Sequence, residues 1–360
     1  MLIPILGLLT LVLLAVISRR YFGTVNRPVF LVLLTVVLLL FSGLRHKTVG
    51  VDTANYYGRF YDFVYSDHAQ ALRLSSALKD SGYYMLNWYF SRVIPDGQIW
   101  IAFVSFVYIL GVSLVCYWES PDYGFSMLYV YCMGLFFFSM TGLRQTLASG
   151  LVMMSYIFVV RRKLIPFVIL VYLASRMHES AWIFLIIYPV ANLRTGWLRL
   201  LAVLIFFILV LAFRNSIGSW MIGLFPGDVL DERFIGYMNS TTQYTASGFL
   251  IQLAIFIFCM RYHSAVVADL PHREVLYNMA FFALIFQAAA MSIAEFFRIS
   301  MFFSWCYVPL LPICMQYERD QRNYEFVRIG LIVAFIAYFM YSTLDSCGIV
   351  PYHFFWETVA

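Results

Sequence analysis

Charged residues are scarce in this chain of 360 residues: 12% are Asp, Glu, Lys or Arg, whereas 62% are hydrophobic. A soluble domain carries about 25% charged residues, so this composition excludes a water-soluble fold. The apolar runs are long and continuous, which excludes a membrane β-barrel, whose strands read as short alternating segments. The sequence therefore predicts an all-α integral membrane protein, because a helix satisfies its own backbone hydrogen bonds within lipid.

Several chemical signatures are also missing. The six cysteines form no CxxC pair and share no metal-ligand spacing with histidine, so no metal is expected. A P-loop, a GxSxG elbow and an HExxH motif are absent from the sequence, which argues against ATP hydrolysis, acyl-enzyme chemistry and zinc proteolysis. We therefore expect no cofactor, and nothing in the chain suggests a nucleic-acid partner.

What the chain does contain is a series of apolar stretches. They predict about 12 membrane segments in a single domain that spans 1–360, with some helices short, broken or re-entrant. Long outer loops are predicted at 45–96 and 214–247. The segments are 2–18, 28–44, 97–117, 123–140, 143–160, 164–177, 180–193, 197–213, 248–260, 275–297, 299–316 and 326–343.

The distribution of basic residues predicts the orientation of these segments. Lys and Arg outnumber Asp and Glu in the loops around 19–27, 161–163, 194–199, 261–273 and 319–328. Such loops remain in the cytoplasm, so both termini are expected outside it. The residues of chemical interest then fall on the outer face.

Four arginines stand at the predicted outer ends of apolar segments: Arg45, Arg144, Arg176 and Arg298. Charge at the end of a membrane segment is costly unless it is paired or functional. Several cations on one side of the membrane favour a site for an anionic ligand borne by the membrane itself.

His178 and Glu179 follow directly after Arg176 at the end of a short apolar segment. A histidine there could be a general base, made more basic by the adjacent carboxylate. The alternative is a helix-end histidine bonded to a backbone carbonyl. Asp52, in the first outer loop, is a second candidate base, although an aspartate in such a loop is usually only solvated.

The remaining candidates each have a structural alternative. Arg144 and Gln145 open a helix, where backbone amides and the positive helix end suit a phosphate, but Arg144 could simply extend to the interface. Glu295 and Arg298 are spaced i, i+3, so they could contact a ligand or form an intrahelical salt bridge. Tyr56 could stack on a sugar ring or anchor the chain at the interface.

Four short motifs in order resemble those of the EpsG-like, Wzy-type polysaccharide polymerases. Val49–Tyr56 is similar to their first outer-loop signature, and Gly142–Ala148 to their Arg-Gln-x-x-Ala helix start. Met177–Ala181 resembles their His-x-Ser-Ala element, and Pro351–Phe355 their terminal Pro-Tyr-x-Phe. The motifs are spread from 49 to 355, so the resemblance extends over most of the chain.

This resemblance implies a GT-C-like glycosyltransferase in the cytoplasmic membrane of a bacterium, with its active site facing outward. Its substrates would be a donor and an acceptor oligosaccharide, both linked to undecaprenyl diphosphate, with membrane lipid and a chain-length regulator protein as further partners. Diphosphate is a good leaving group, so stabilisation of its charge could replace a metal. The alternatives are a flippase or carrier for lipid-linked sugars and a glycan ligase.

The common placement of the candidates on the outer face suggests a role for each of them in this reaction. Arg144, Arg176 and Arg298 would bind the donor diphosphate, and Arg45 the same group or the acceptor carrier. His178, oriented by Glu179, would be the base, with Asp52 as its substitute. The substrate-binding set further includes Gln145, Glu295, Tyr56 and Tyr352.

Overall fold

The computed structural model describes residues 2–21, 27–224, 246–343 and 347–359. The chain is 78% helix with no strand among the described residues, which confirms the predicted all-α class. The chain divides into two compact units, one formed by 1–185 with 318–360 and the other by 186–317. Each unit is described by itself.

Among the described residues, the first unit contains the three helices that are long and apolar enough to cross a membrane. Its helices are α1 Leu2–Tyr21, α2 Arg27–Gly43, α3 Thr53–Val64, α4 His68–Ser76, α5 Ser81–Val93, α6 Gly97–Glu119, α7 Tyr123–Cys132, α8 Leu135–Phe138, α9 Leu143–Val160, α10 Leu164–Met177 and, after the second unit, α18 Gln321–Tyr338. A 3-10 helix, Glu179–Ile186, follows α10, and a π-helical turn, Phe339–Thr343, ends α18.

The second unit contains the helices between these two parts of the first unit. They are α11 Ile187–Val190, α12 Trp197–Leu224, α13 Ser247–Arg261, α14 His263–Asp269, α15 Glu274–Ala289, α16 Phe296–Ser304 and α17 Tyr307–Met315. Helix α12 is kinked at Phe213 and continues past the predicted segment end, into the predicted outer loop 214–247. Of that loop, 225–245 lie outside the described residues.

The expectation of about 12 membrane segments is not confirmed. In the described ranges, three helices are long and apolar enough to cross a membrane: Gly97–Glu119, Leu143–Val160 and Gln321–Ser342. Two bent pairs raise the number to five if each is one span, α13 with α14 at 61° and α16 with α17 at 46°. Other apolar stretches, among them Pro28–Gly43 and Leu164–Met177, form shorter helices of 10–17 residues. The stretch 123–140 is broken at Gly134, whose φ is +83°.

The core of the first unit is built on close contact between α6 and α9. Gly111 and Gly150 allow this approach, because a Cβ at Gly111 would lie 2.8 Å from the carbonyl oxygen of Gly150. Small residues at helix crossings have this role in membrane proteins, where packing replaces the hydrophobic effect. The pair holds the start of α9, and hence Arg144, at a defined position in the first unit.

The predicted outer loop 45–96 is largely helical. The aromatic stretch 82–93 lies in α5, and α3 and α4 precede it. Helix α4 begins with a capping box between Asp67 and Gln70, an arrangement that satisfies two backbone donors at a helix start. Helix α5 packs against α3 and α10, so this region forms a folded layer on the ends of the apolar helices.

Candidate functional site

A buried carboxylate, Asp80, connects two of the predicted functional residues. Its Oδ2 accepts hydrogen bonds from Arg144 Nη1 at 2.8 Å and from His178 Nδ1 at 3.0 Å. Its Oδ1 accepts the backbone N–H of Glu179 at 2.9 Å. The Asp80 side chain is 0% exposed, so the ion pair with Arg144 is sheltered from water and ordered by three donors.

The hydrogen bonds of Asp80 determine its charge. Burial alone raises the pKa of the Asp80 carboxyl, but the hydrogen bonds from His178 and Glu179, with the charge of Arg144, hold the pKa below its usual value. An ionised carboxylate can only accept hydrogen bonds. His178 must therefore carry a proton on Nδ1, and in the neutral ring the lone pair lies on Nε2.

The local backbone places Asp80 in this position. Asp80 precedes α5 with a left-handed φ of +62°, a conformation that Asp tolerates better than most residues. Gly82 then brings α5 against the end of α10, because a Cβ there would lie 2.5 Å from the carbonyl oxygen of Arg176. Only glycine permits this approach, which brings Asp80 within reach of His178.

Arg144 is the second connecting residue. Its Nε donates to the Tyr56 hydroxyl at 3.1 Å, and its Nη1 donates to the carbonyl oxygen of Lys79 at 3.1 Å as well as to Asp80. The side chain is 22% exposed, so part of the guanidinium still reaches the surface. Arg144 is thus fixed in orientation and remains accessible to a ligand.

The surroundings of Arg144 favour a negative ligand. Among the described residues, no side chain caps the start of α5 or of α9, so the first backbone N–H groups of both helices add positive potential. Arg176, which is exposed, donates to the Ser81 hydroxyl at 3.1 Å. Two arginines and two helix starts therefore surround one carboxylate, an arrangement suited to an anion such as phosphate.

Glu179 was expected to orient His178, but the carboxylate that accepts from His178 Nδ1 is that of Asp80. Glu179 is an exposed residue, and it contacts the site through its backbone N–H, which donates a hydrogen bond to Asp80. Asp80 has the orienting position instead. The sequence reasoning missed Asp80 because it stands in a loop between two predicted outer segments. An Asp directly before Ser81-Gly82 is typical of a helix N-cap, but Asp80 makes no capping hydrogen bond, so this pattern does not indicate its contact with His178.

Arg45 lies deep in the first unit. It is 0% exposed and donates to the backbone and side-chain oxygens of Ser42, to Ser105 Oγ at 3.0 Å and to the carbonyl oxygen of Met140 at 3.3 Å. Among the described residues, its hydrogen-bond partners are all neutral oxygens. Burial lowers the pKa of Arg45 to about 10, so it remains charged near neutral pH while it joins α2, α6 and the chain before α9.

The C-terminal segment covers Arg45. An isolated bridge pairs Arg45 with Phe354, and the His46 N–H donates to the carbonyl oxygen of His353 at 2.8 Å. Tyr352, predicted to bind substrate, donates its hydroxyl to the carbonyl oxygen of Phe41, and its ring packs against the Phe41 ring at 4.6 Å between centroids, tilted by 41°. Arg45 thus pairs the C-terminal segment with the start of the first outer loop, and Tyr352 holds that segment against α2.

The other predicted residues lie in or directly before several helices. Asp52 is half-buried at the start of α3, and Gln145 is buried in the first turn of α9. In the second unit, Glu295 and Arg298 form the intrahelical ion pair that their spacing suggested, with Arg298 Nε 3.4 Å from Glu295 Oε2. Within the described ranges, no three His, Cys, Asp or Glu side chains are grouped to hold a metal ion.

The fold and the site define a helical membrane protein with a cationic site in which a histidine is held by a buried aspartate. The chain belongs to the EpsG family, whose model matches residues 29–354. No curated protein and no solved structure matches the chain, so the GT-C-like architecture stays a prediction. Family membership confirms the resemblance drawn from the four motifs.

Proposed function

We propose that this protein is a glycosyltransferase that joins oligosaccharide repeats linked to undecaprenyl diphosphate, on the outer face of the bacterial cytoplasmic membrane. The observation that carries the proposal is the contact of Asp80 with both Arg144 and His178. A polymerase of this kind needs a base for the acceptor hydroxyl beside a cation for the donor diphosphate. Membership of the EpsG family supports the same assignment.

In the proposed reaction, His178 Nε2 accepts the proton of an acceptor sugar hydroxyl. The hydroxyl oxygen forms a bond to the anomeric carbon of the donor. The bond between that carbon and the diphosphate oxygen breaks, and its electron pair leaves with undecaprenyl diphosphate. Asp80 holds the Nδ1–H of the ring and stabilises the imidazolium that forms, as a buried carboxylate does for a catalytic histidine.

Arg144 and Arg176 are assigned to the leaving group. The charge on the diphosphate grows as the bond breaks, so cations fixed in advance stabilise the transition state more than the ground state. Arg144 is fixed by Tyr56, Lys79 and Asp80. Such a preordered guanidinium loses little entropy when it binds phosphate oxygens.

The decisive experiment supplies the purified protein with lipid-linked repeats and follows glycan length on a gel. The proposal expects longer glycan with the wild-type protein and single repeats with Arg144→Ala or His178→Ala. Wild-type protein that leaves the glycan length unchanged but moves the lipid-linked sugar across a vesicle membrane would indicate a carrier. In cells, loss of a ligase would leave polymer on undecaprenol, whereas loss of a polymerase would leave single repeats.

A further inference from the structure

Three tyrosines form a row along one side of α3. Tyr57, Tyr61 and Tyr65 are spaced i, i+4 and i+8, with ring centroids separated by 5.3 Å and then 6.3 Å. Four residues advance a helix by about 6 Å, so the rings follow one another along the axis. We call Tyr57, Tyr61 and Tyr65 the tyrosine row.

The row has a supported side and an open side. Gly97, at the start of α6, lies behind the first two rings, since a Cβ there would approach Tyr57 Cε2 to 2.8 Å and Tyr61 Cε2 to 3.1 Å. The Gly97 N–H donates to the Tyr61 hydroxyl at 3.3 Å. The far end is open, because Tyr65 is 82% exposed.

Small residues leave the flank of the row uncovered. Ala54 and Gly58 lie on the same flank by helical periodicity, and both are exposed. A Cβ built on Gly58 meets no described atom within 4 Å. A flat molecule could therefore approach Tyr61 and Tyr65 from this side, whereas Lys47 Nζ lies over the Tyr57 ring, 5.4 Å from its centroid.

The surface beside the row is polar. Asn55, Arg59 and Asp62 on α3 are all exposed, whereas a helix that rests on lipid presents an apolar face outward. The hydroxyls of Tyr57 and Tyr61 lie 3.5 Å apart. Burial and the hydrogen bond with Tyr61 raise the pKa of Tyr57 to about 12, so its phenol stays protonated near neutral pH.

We propose that the tyrosine row is a binding surface for a glycan chain, on which successive sugar rings stack. The weakly positive C–H groups on a sugar face match the negative face of an aromatic ring, and the neighbouring amide, guanidinium and carboxylate groups suit sugar hydroxyls. This inference rests on the proposed function. It assigns the tyrosine row to the growing glycan chain and keeps that role separate from the reacting groups around Asp80.

The test measures binding of the surface polysaccharide purified from the cells that make this protein, which requires no catalysis. Wild-type protein in detergent should bind this polysaccharide, and Tyr65→Ala should weaken binding about tenfold, the value of one good ring contact. Gly58→Phe, which fills the open flank, should weaken it to a similar degree. Tyr89→Ala is the matched control, because Tyr89 is an exposed tyrosine (56%) on α5.

The inference is overturned if wild-type protein does not bind the polysaccharide, if Tyr65→Ala and Gly58→Phe both bind as wild type does, or if Tyr89→Ala weakens binding equally. Chain length provides a second measurement. Tyr65→Ala should shorten the polymer at least twofold while the rate of the first joining step stays at the wild-type value. Failure of the proposed function is separate, since wild-type protein would then lengthen no glycan whatever the binding result.

Discussion

Asp80 Oδ2 lies 3.0 Å from His178 Nδ1, although 98 positions separate the two residues in the chain. The same oxygen accepts a hydrogen bond from Arg144. One buried carboxylate therefore determines both the tautomer of the histidine and the orientation of the arginine. A base for an acceptor and a cation for a leaving group are coupled through a residue that touches neither substrate in the proposed reaction.

Replacing Asp80 tests this coupling directly. Asp80→Asn should lower the rate of glycan joining about 100-fold or more, because an amide cannot stabilise an imidazolium as a carboxylate does. Glu179→Gln is the matched control, and its rate should stay within about twofold of wild type. Initial rates with lipid-linked repeats are the measurement. A larger loss with Glu179→Gln would return the orienting role to Glu179.

Replacing Arg144 by lysine keeps the positive charge but removes the planar set of N–H donors of the guanidinium. A lysine ammonium is a point charge that cannot span Tyr56, the Lys79 carbonyl and Asp80 together, so Arg144→Lys should lower the rate about 100-fold. Tyr56→Phe removes a single hydrogen bond of that set and should cost about tenfold or less. If the joining rate falls equally in the two variants, the reaction requires the Tyr56 hydroxyl itself and not the geometry of Arg144.

The lowered pKa of Asp80 predicts how stability changes with pH. The folded carboxyl has a pKa below the ordinary value of 3.8, so its stabilising contribution is complete above that value and is lost as pH falls through the folded pKa. The difference in melting temperature between wild type and Asp80→Asn should therefore not fall between pH 7 and about pH 5. The difference in melting temperature should shrink only when the pH falls below the ordinary carboxyl pKa of 3.8. A difference that already falls between pH 7 and pH 5 contradicts this assignment.

Gly82 lies where α5 contacts α10, and Gly58 on α3 serves as its control. Gly82→Ala should destabilise the protein by about 2 kcal/mol, because the new methyl group meets the backbone of Arg176 and forces the helices apart. Gly58→Ala adds the same methyl group on an exposed helix and should be neutral or stabilise by up to about 1 kcal/mol. Thermal unfolding in detergent measures both. The idea fails if the two variants melt at the same temperature.

Arg45 is expected to act on stability. Arg45→Lys should lower the free energy of unfolding by about 2 kcal/mol, since lysine cannot reach Ser42, Ser105 and Met140 at once and leaves buried acceptors unpaired. Joining activity per folded molecule should stay close to wild type. Unchanged stability with lost activity would support the diphosphate role that the sequence suggested for Arg45.

Much of the helical structure could be predicted from hydropathy alone. The segments expected at 97–117, 143–160 and 164–177 correspond to α6, α9 and α10 within a few residues. The number of membrane segments could not be predicted, because composition does not reveal where an apolar run breaks. Gly134 interrupts one run with a left-handed backbone, and α13 with α14 bend by 61°.

The candidate site was predicted in part. Arg144, Arg176 and His178 stood out because charge at the end of an apolar helix is costly, and the structure brings all three to the start of α5. Asp80 did not stand out, because an aspartate in a polar loop is ordinary in sequence. Its burial depends on Gly82, which allows α5 to approach α10.

The sequence by itself determined that this chain is a helical membrane protein of the EpsG family, with arginines and a histidine at helix ends. Hydrophobicity and motif order are local properties, so they can be read without coordinates. Only the tertiary structure decided which charges meet. Asp80 pairs with Arg144 and His178, whereas Arg45 is buried among neutral oxygens, because contacts between distant residues depend on how closely the helix backbones pack.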